Sequence, residues 1–435
     1  MSESVKNKGW AVTFAGLGIN LALGILYAWS VIKGGIPESW GWNNADKALP
    51  YAVACIVFAF AMVPAGKLQD VIGPRWVATI GGILTGAGCI IAGFSGSSLA
   101  GFVIGFGIFA GIGIGFGYAS ATPPAVKWFP PQKTGMIAGL VVAGFGLASV
   151  YIAPLGTWML SFFAKATGAI DTATGKEIIE KGVSSTMITF GIGFLIIVTI
   201  LSQLLKNPPA GFSAAPAAKT GGNSKPHVEM TWKQMMSGTQ FYILWLMYFI
   251  GASAGLTFIS VAQDLGKRSL GELAFIAVAI LAVGNAGGRI IAGMISDKIG
   301  RQWTLFICFL FQAAVIACLY YMQAGGGWML IMLIVLFIGA NYGANLAIFP
   351  AVTKDYFGLK SYGLNYGIVF TAWGVGGLVM PRVNGMILDK AGSNGLTFVI
   401  IICMLVVGAA LTFASRAIAA ETKADVAQHV EKIVV

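Results

Sequence analysis

Arg289 raises the sharpest chemical question in this sequence: it stands in Leu281-Ala-Val-Gly-Asn285-Ala-Gly-Gly-Arg289-Ile-Ile-Ala292, a run with no other charge. A guanidinium is permanently charged and offers parallel N–H donors that fork onto both oxygens of a carboxylate. Placing it in an apolar helix costs about 2.5–3.5 kcal/mol even on a lenient insertion scale, so such a side chain usually faces a cavity. A small organic anion is its natural ligand; the alternative is an arginine that snorkels to the membrane interface. Asn285 lies one turn earlier on the same face, placed to orient the guanidinium, to donate to a ligand, or to hydrogen-bond a neighbouring helix. Tyr27, Tyr118 and Tyr342 also stand in apolar stretches. A buried phenol needs a polar partner, can donate to a carboxylate, and walls a dry space with its ring.

Other chemistries lack their residues. His227 and His429 lie in polar segments. Cys55, Cys89, Cys308, Cys318 and Cys403 sit in apolar runs without CxxC spacing, which reads as core filler rather than metal or redox ligation. There is no Gly-rich loop ending in Lys-[Ser/Thr] to hold ATP. With no convergent nucleophile, base or metal set, neither an enzyme nor a cofactor is expected. No Asp or Glu falls in the middle of a predicted helix; Asp264, at the outer end of the seventh, is the candidate for carrying a coupling proton.

The elements that position these residues follow from composition. Of 435 residues 57% are hydrophobic and 10% charged, with a mean hydropathy of +0.82, whereas soluble domains carry roughly 25% charged residues. A bilayer core needs about 20 apolar residues per helix. Runs of that size predict helices at about 10–32, 48–70, 76–94, 98–120, 135–164 and 185–205, then 240–263, 270–295, 302–322, 328–349, 362–388 and 394–416. The first is read as a helix and not a signal peptide, for want of a cleavage site. Lys and Arg collect in cytoplasmic loops. Placing both termini inside puts 17 of the 27 basic residues there and 8 outside, so the net charge of +11 is mostly a topology signal, with no patch for nucleic acid. The expected organisation is an N-terminal six-helix bundle at 1–205, a Pro/Gly/Ala/Lys-rich cytoplasmic linker at 206–239, a C-terminal bundle at 240–416 and a cytoplasmic tail at 417–435.

The halves repeat. Gly66-Lys-Leu-Gln-Asp70-Val-Ile-Gly73-Pro-Arg75 recurs as Gly293-Met-Ile-Ser-Asp297-Lys-Ile-Gly300-Arg301 at an offset of 227, Pro124-Ala-Val126 as Pro350-Ala-Val352 at 226, and Pro154 as Pro381 at 227. In each loop the acid can cap a helix and pair with Arg75 or Arg301, while the glycines let helix ends approach. Met62 stands where the repeat would put a counterpart of Arg289, so the scaffold itself does not require that cation.

The doubled loop resembles the signature of the major facilitator superfamily, which implies an all-α fold of two pseudo-symmetric six-helix bundles with gating loops at Gly66, Asp70, Gly73, Arg75, Gly293, Asp297, Gly300 and Arg301. A finer resemblance is to the oxalate/formate antiporter family, related to the monocarboxylate transporters. Asn20 to Ser30, Gly117-Tyr118, Pro124 to Phe129, Asn285 to Arg289, Tyr342 to Pro350, Asp355 to Gly358 and Asn365 to Gly374 carry it. It implies a substrate arginine at Arg289 and pocket residues at Tyr27 and Tyr118; Asn285 and Tyr342 are candidates for the same pocket. Where the oxalate-exchanging member has a lysine in the Thr-Ala-x-Gly stretch, this chain has Trp373, an apolar wall in place of a second cation.

The expectation is a carrier in the cell membrane that moves a small monocarboxylate of the lactate, pyruvate or formate type by alternating access, as a monomer, driven by proton symport or anion exchange. Strict oxalate/formate exchange and a non-transporting carboxylate sensor on the same scaffold are the alternatives.

Overall fold

A computed structural model describes residues 7–129, 134–170, 177–209, 229–322, 327–358 and 361–434; the side chains of 416–434 and of a few other positions, Asp70 among them, fall outside that description, as does most of the expected linker. Among the described residues twelve helices are long and apolar enough to cross a membrane. They are α1 (Gly9–Lys33), α2 (Asn44–Ile72), α3 (Pro74–Phe94), α4 (Leu99–Lys127), α5 (Thr134–Phe162), α6 (Val183–Ser202), α7 (Thr239–Leu270), α8 (Gly271–Ile299), α9 (Arg301–Met322), α10 (Trp328–Phe357), α11 (Tyr362–Ala391) and α12 (Gly395–Val434). With an even number of spans both chain ends lie on one face, called terminal below; the opposite face is distal.

Most helix ends fall within a few residues of the expected ones. Four do not: α7 runs on from 263 to Leu270, which puts Asp264 inside it, α12 runs on from 416 to Val434 through the expected tail, and α4 and α10 run on past Pro123-Pro124 and Pro350, where the sequence suggested a stop. A proline removes one N–H, and inside a membrane bundle neighbouring groups and local adjustment absorb the loss. Three further irregularities have no forewarning in the pattern. A 3₁₀ turn, Gly24–Ala28, interrupts α1 and carries Tyr27; a π turn, Val103–Ala110, lies in α4; and an antiparallel hairpin, β1 (Lys165–Ile170) with β2 (Glu177–Glu180), joins α5 to α6 with Lys165 opposite Glu180. Of the cysteines read as core filler, Cys55 and Cys89 are buried, but Cys318 and Cys403 are exposed on the outer surface of the bundle.

The two halves meet along α2 with α11 and along α5 with α8. Within the second half α8 packs closely on α10. Gly284 and Gly288 of α8 abut the backbone at Leu336 and Ala340, and Gly339 and Gly343 of α10 abut the backbone at Leu281 and Asn285, leaving no room for a Cβ at any of the four. This contact fixes the rotation of α8 about its axis and so the direction in which Asn285 and Arg289 project. In the first half Asn20 of α1 donates to the Val141 carbonyl of α5 at 2.8 Å, and Gly24 abuts Ala148, which anchors the segment that carries Tyr27.

The doubled loop has one geometry in both halves. Gly73 and Gly300 have φ of +87° and +93°, a region that side-chain-bearing residues rarely adopt. Each closes the preceding helix, its N–H bonded to Gln69 O at 2.9 Å or Ser296 O at 3.1 Å, while the next helix begins at the following residue. Gly66 and Gly293 differ from expectation: no described atom comes within 4 Å of where a Cβ would stand, so close helix approach is not their service.

Candidate functional site

Arg289 is 9% exposed and does not snorkel. Its Nε donates to Asn285 Oδ1 at 3.2 Å and its Nη1 to the Val142 carbonyl of α5 at 3.1 Å, so the guanidinium spans the junction of the halves. No acidic side chain pairs with it among the described residues. Nη2 of Arg289 and Nδ2 of Asn285 are buried and make no hydrogen bond. A buried donor without a partner is costly, and these two lie on adjacent turns of α8.

Aromatic side chains enclose this point. The hydroxyls of Tyr27 and Tyr342 are 2.7 Å apart across the interface, and the indole N–H of Trp373 donates to the Tyr342 hydroxyl at 2.7 Å. Tyr118 makes a side-chain polar contact with the Arg289 guanidinium and packs edge-on against Phe58 and Phe145 at 5.4 and 5.3 Å. Phe58 in turn meets Trp373 at 5.1 Å, and Trp373 stacks on Phe370 at 5.0 Å. Arg289, Asn285, Tyr27, Tyr118, Tyr342 and Trp373 thus come together in one dry cluster fed from both halves. Asn345, one turn from Tyr342, instead donates to Asn341 of its own helix. Sequence reasoning missed Phe58, Phe145, Phe370, Gly146 and the Val142 carbonyl. Apolar residues in apolar runs give no signal of which ring faces the centre.

The remaining candidates lie elsewhere. Asp264 is on the distal face, where it accepts from Lys33 at 3.2 Å and lies 3.8 Å from Lys267, joining α1 to α7. Nearby, the Asp389 carboxylate of α11 accepts from Asn44 N, Asn44 Nδ2 and Ala45 N at 2.8, 2.9 and 3.0 Å, capping the first turn of α2 from the opposite half. Arg382 adds a bond to the Ala45 carbonyl at 3.2 Å. On the terminal face Arg301 pairs with Asp297 at 2.7 Å and Asp355 at 3.4 Å and also meets Ser296. Its counterpart Arg75 donates to Gln203 at 2.5 Å; the side chain of Asp70, its expected partner, lies outside the described residues.

The sequence profile of the Major Facilitator Superfamily matches residues 9–381. The chain belongs to that superfamily. This facilitator is 26% identical to the oxalate:formate antiporter of Oxalobacter formigenes, over 94% of this chain and 91% of the other. To monocarboxylate transporter 11 of Homo sapiens it is 24% identical, over 90% and 79%. A crystal structure of a D-xylose-proton symporter shares the fold with a TM-score of 0.71 at 15% identity, over 93% of this chain and 97% of that one. The facilitator is therefore a multi-pass membrane protein with a transporter's fold of two six-helix bundles.

Proposed function

We propose that this facilitator carries a small monocarboxylate between the two faces by alternating access, with the anion held by Arg289. The observation that carries this reading is the charge count at the centre. Arg289 and Lys33 are the only buried basic side chains among the described residues, and Lys33 is already paired with Asp264. One uncompensated positive charge complements one negative charge, and Trp373 occupies the place at which a second cation would have welcomed a dianion. The relatives named for oxalate, formate and monocarboxylates support the same substrate class. Enclosure by rings suits it too, since excluding water strengthens the pairing of guanidinium and carboxylate.

For coupling, exchange of one anion for another needs no further residue, whereas Asp264 is held between two lysines at the distal face. We therefore assign Asp264 to fastening the halves and favour anion exchange. Purified protein in proteoliposomes loaded with lactate or formate tests the assignment: external labelled lactate enters by counterflow, Arg289→Ala abolishes entry while the protein remains folded, and Arg289→Lys restores it in part. Full counterflow in Arg289→Ala would remove Arg289 from the site.

A further inference from the structure

We propose that Gly146 of α5 is a specificity-determining residue, keeping a side chain away from the point at which the substrate carboxylate meets the two unpartnered donors. This deepens the proposed function and rests on it. The argument begins with the spacing of α5, where Val142 and Gly146 are one turn apart on one helix face. The Val142 carbonyl pins Arg289 Nη1. Four residues later, the same face offers no side chain. A Cβ built on Gly146 would stand 3.5 Å from Asn285 Nδ2, 3.6 Å from Arg289 Nη2 and 3.7 Å from Arg289 Cζ. These nitrogens are the two buried groups left without acceptors. Both donors therefore lie beside the bare Cα of Gly146, within van der Waals reach of any side chain placed there.

A carboxylate oxygen in hydrogen-bond contact with both nitrogens, near 2.9 Å, lies beside the Gly146 Cα, so close to where a Cβ would stand that the two cannot share the space. Held there, it satisfies both donors at once, and its negative charge lies against the outer edge of the guanidinium. A methyl group on the Cα of residue 146 would be in ordinary contact with its nearest neighbours, none of them a backbone atom. Gly146→Ala is thus accommodated in the empty protein, and alanine favours a helix more than glycine does. The substitution should leave the empty carrier at least as stable as the parent while crowding the oxygen's place. Stability and binding then move in opposite directions, which a mere packing role would not produce.

The experiment compares the parent, Gly146→Ala, Arg289→Ala and a control, Gly139→Ala, on the same helix but with no described atom within 4 Å of the added Cβ. Thermal unfolding of the purified proteins is followed over a formate and a lactate titration, with counterflow of labelled lactate in parallel. The expected result is that Gly146→Ala without ligand unfolds no lower than the parent, yet its half-saturating carboxylate concentration rises about tenfold or more, as for one lost charge-assisted hydrogen bond. Gly139→Ala follows the parent. Unchanged carboxylate affinity in Gly146→Ala, with the parent responding and Arg289→Ala silent, overturns the role of Gly146 and leaves the proposed function standing. A parent that neither binds nor exchanges a carboxylate overturns the proposed function, and this inference with it.

Discussion

The hydroxyls of Tyr27 and Tyr342 meet at 2.7 Å across the junction of the two halves, and the indole of Trp373 donates to the same Tyr342 oxygen at 2.7 Å. One oxygen therefore ties α1 to both α10 and α11. Such a bond is worth roughly 0.5–1.5 kcal/mol net, and a buried donor left behind costs more.

Tyr27→Phe removes one bond and leaves the indole paired; Tyr342→Phe removes two and leaves the Trp373 N–H orphaned. The expected order of damage is Tyr342→Phe above Tyr27→Phe, with the first losing about 1–3 kcal/mol of stability. Thermal unfolding of the two variants, alongside the counterflow KM, checks the order. Equal effects would mean that the Trp373 bond contributes nothing.

Trp373→Lys returns a cation to the centre. The indole is 1% exposed and packed between Phe58 and Phe370, so its loss should cost about 3 kcal/mol or more in stability. Oxalate should then compete with labelled lactate better than it does in the parent, while lactate itself binds less well. A competition series of unlabelled carboxylates reads this directly; an unaltered ranking in folded Trp373→Lys would take Trp373 out of the pocket wall.

Asp264→Asn leaves Lys33, whose side chain is 7% exposed, without its carboxylate. The more exposed Lys267 contact is worth little, as surface pairs usually are. The distal face should open more readily, by about 1–3 kcal/mol for the buried lysine left unpaired. Counterflow persists, and the response to an imposed pH gradient matches that of the parent. Loss of gradient-driven uptake with counterflow intact would instead make Asp264 the coupling group.

Much of this was legible in the sequence because membrane helices advertise themselves. Twelve apolar runs, a basic bias on one side and a repeat offset of 227 residues fix the architecture, and Arg289 stands out because charge is so expensive among its neighbours. What stayed hidden depends on rotation about helix axes. The Val142 carbonyl and the bare Cα of Gly146 matter because α5 turns that face to α8, and α8 is itself held by glycine contacts with α10. Hydrophobic periodicity cannot resolve this when both faces of a helix are apolar. Prolines misled in the other direction: Pro123-Pro124 and Pro350 read as helix stops by rules drawn from water, where a freed carbonyl and a bent axis have no surrounding bundle to hold them.

The Asp389 cap on α2 has a consequence for the order of events. Its three bonds lie at an exposed position on the distal face, and solvent can take over each N–H it releases. The tyrosine pair and the Arg289 bond to Val142 have no such substitute. The distal fastening is soluble in the ordinary sense, while the central one yields only to something that brings its own oxygens. Under the proposed function that something is the substrate carboxylate.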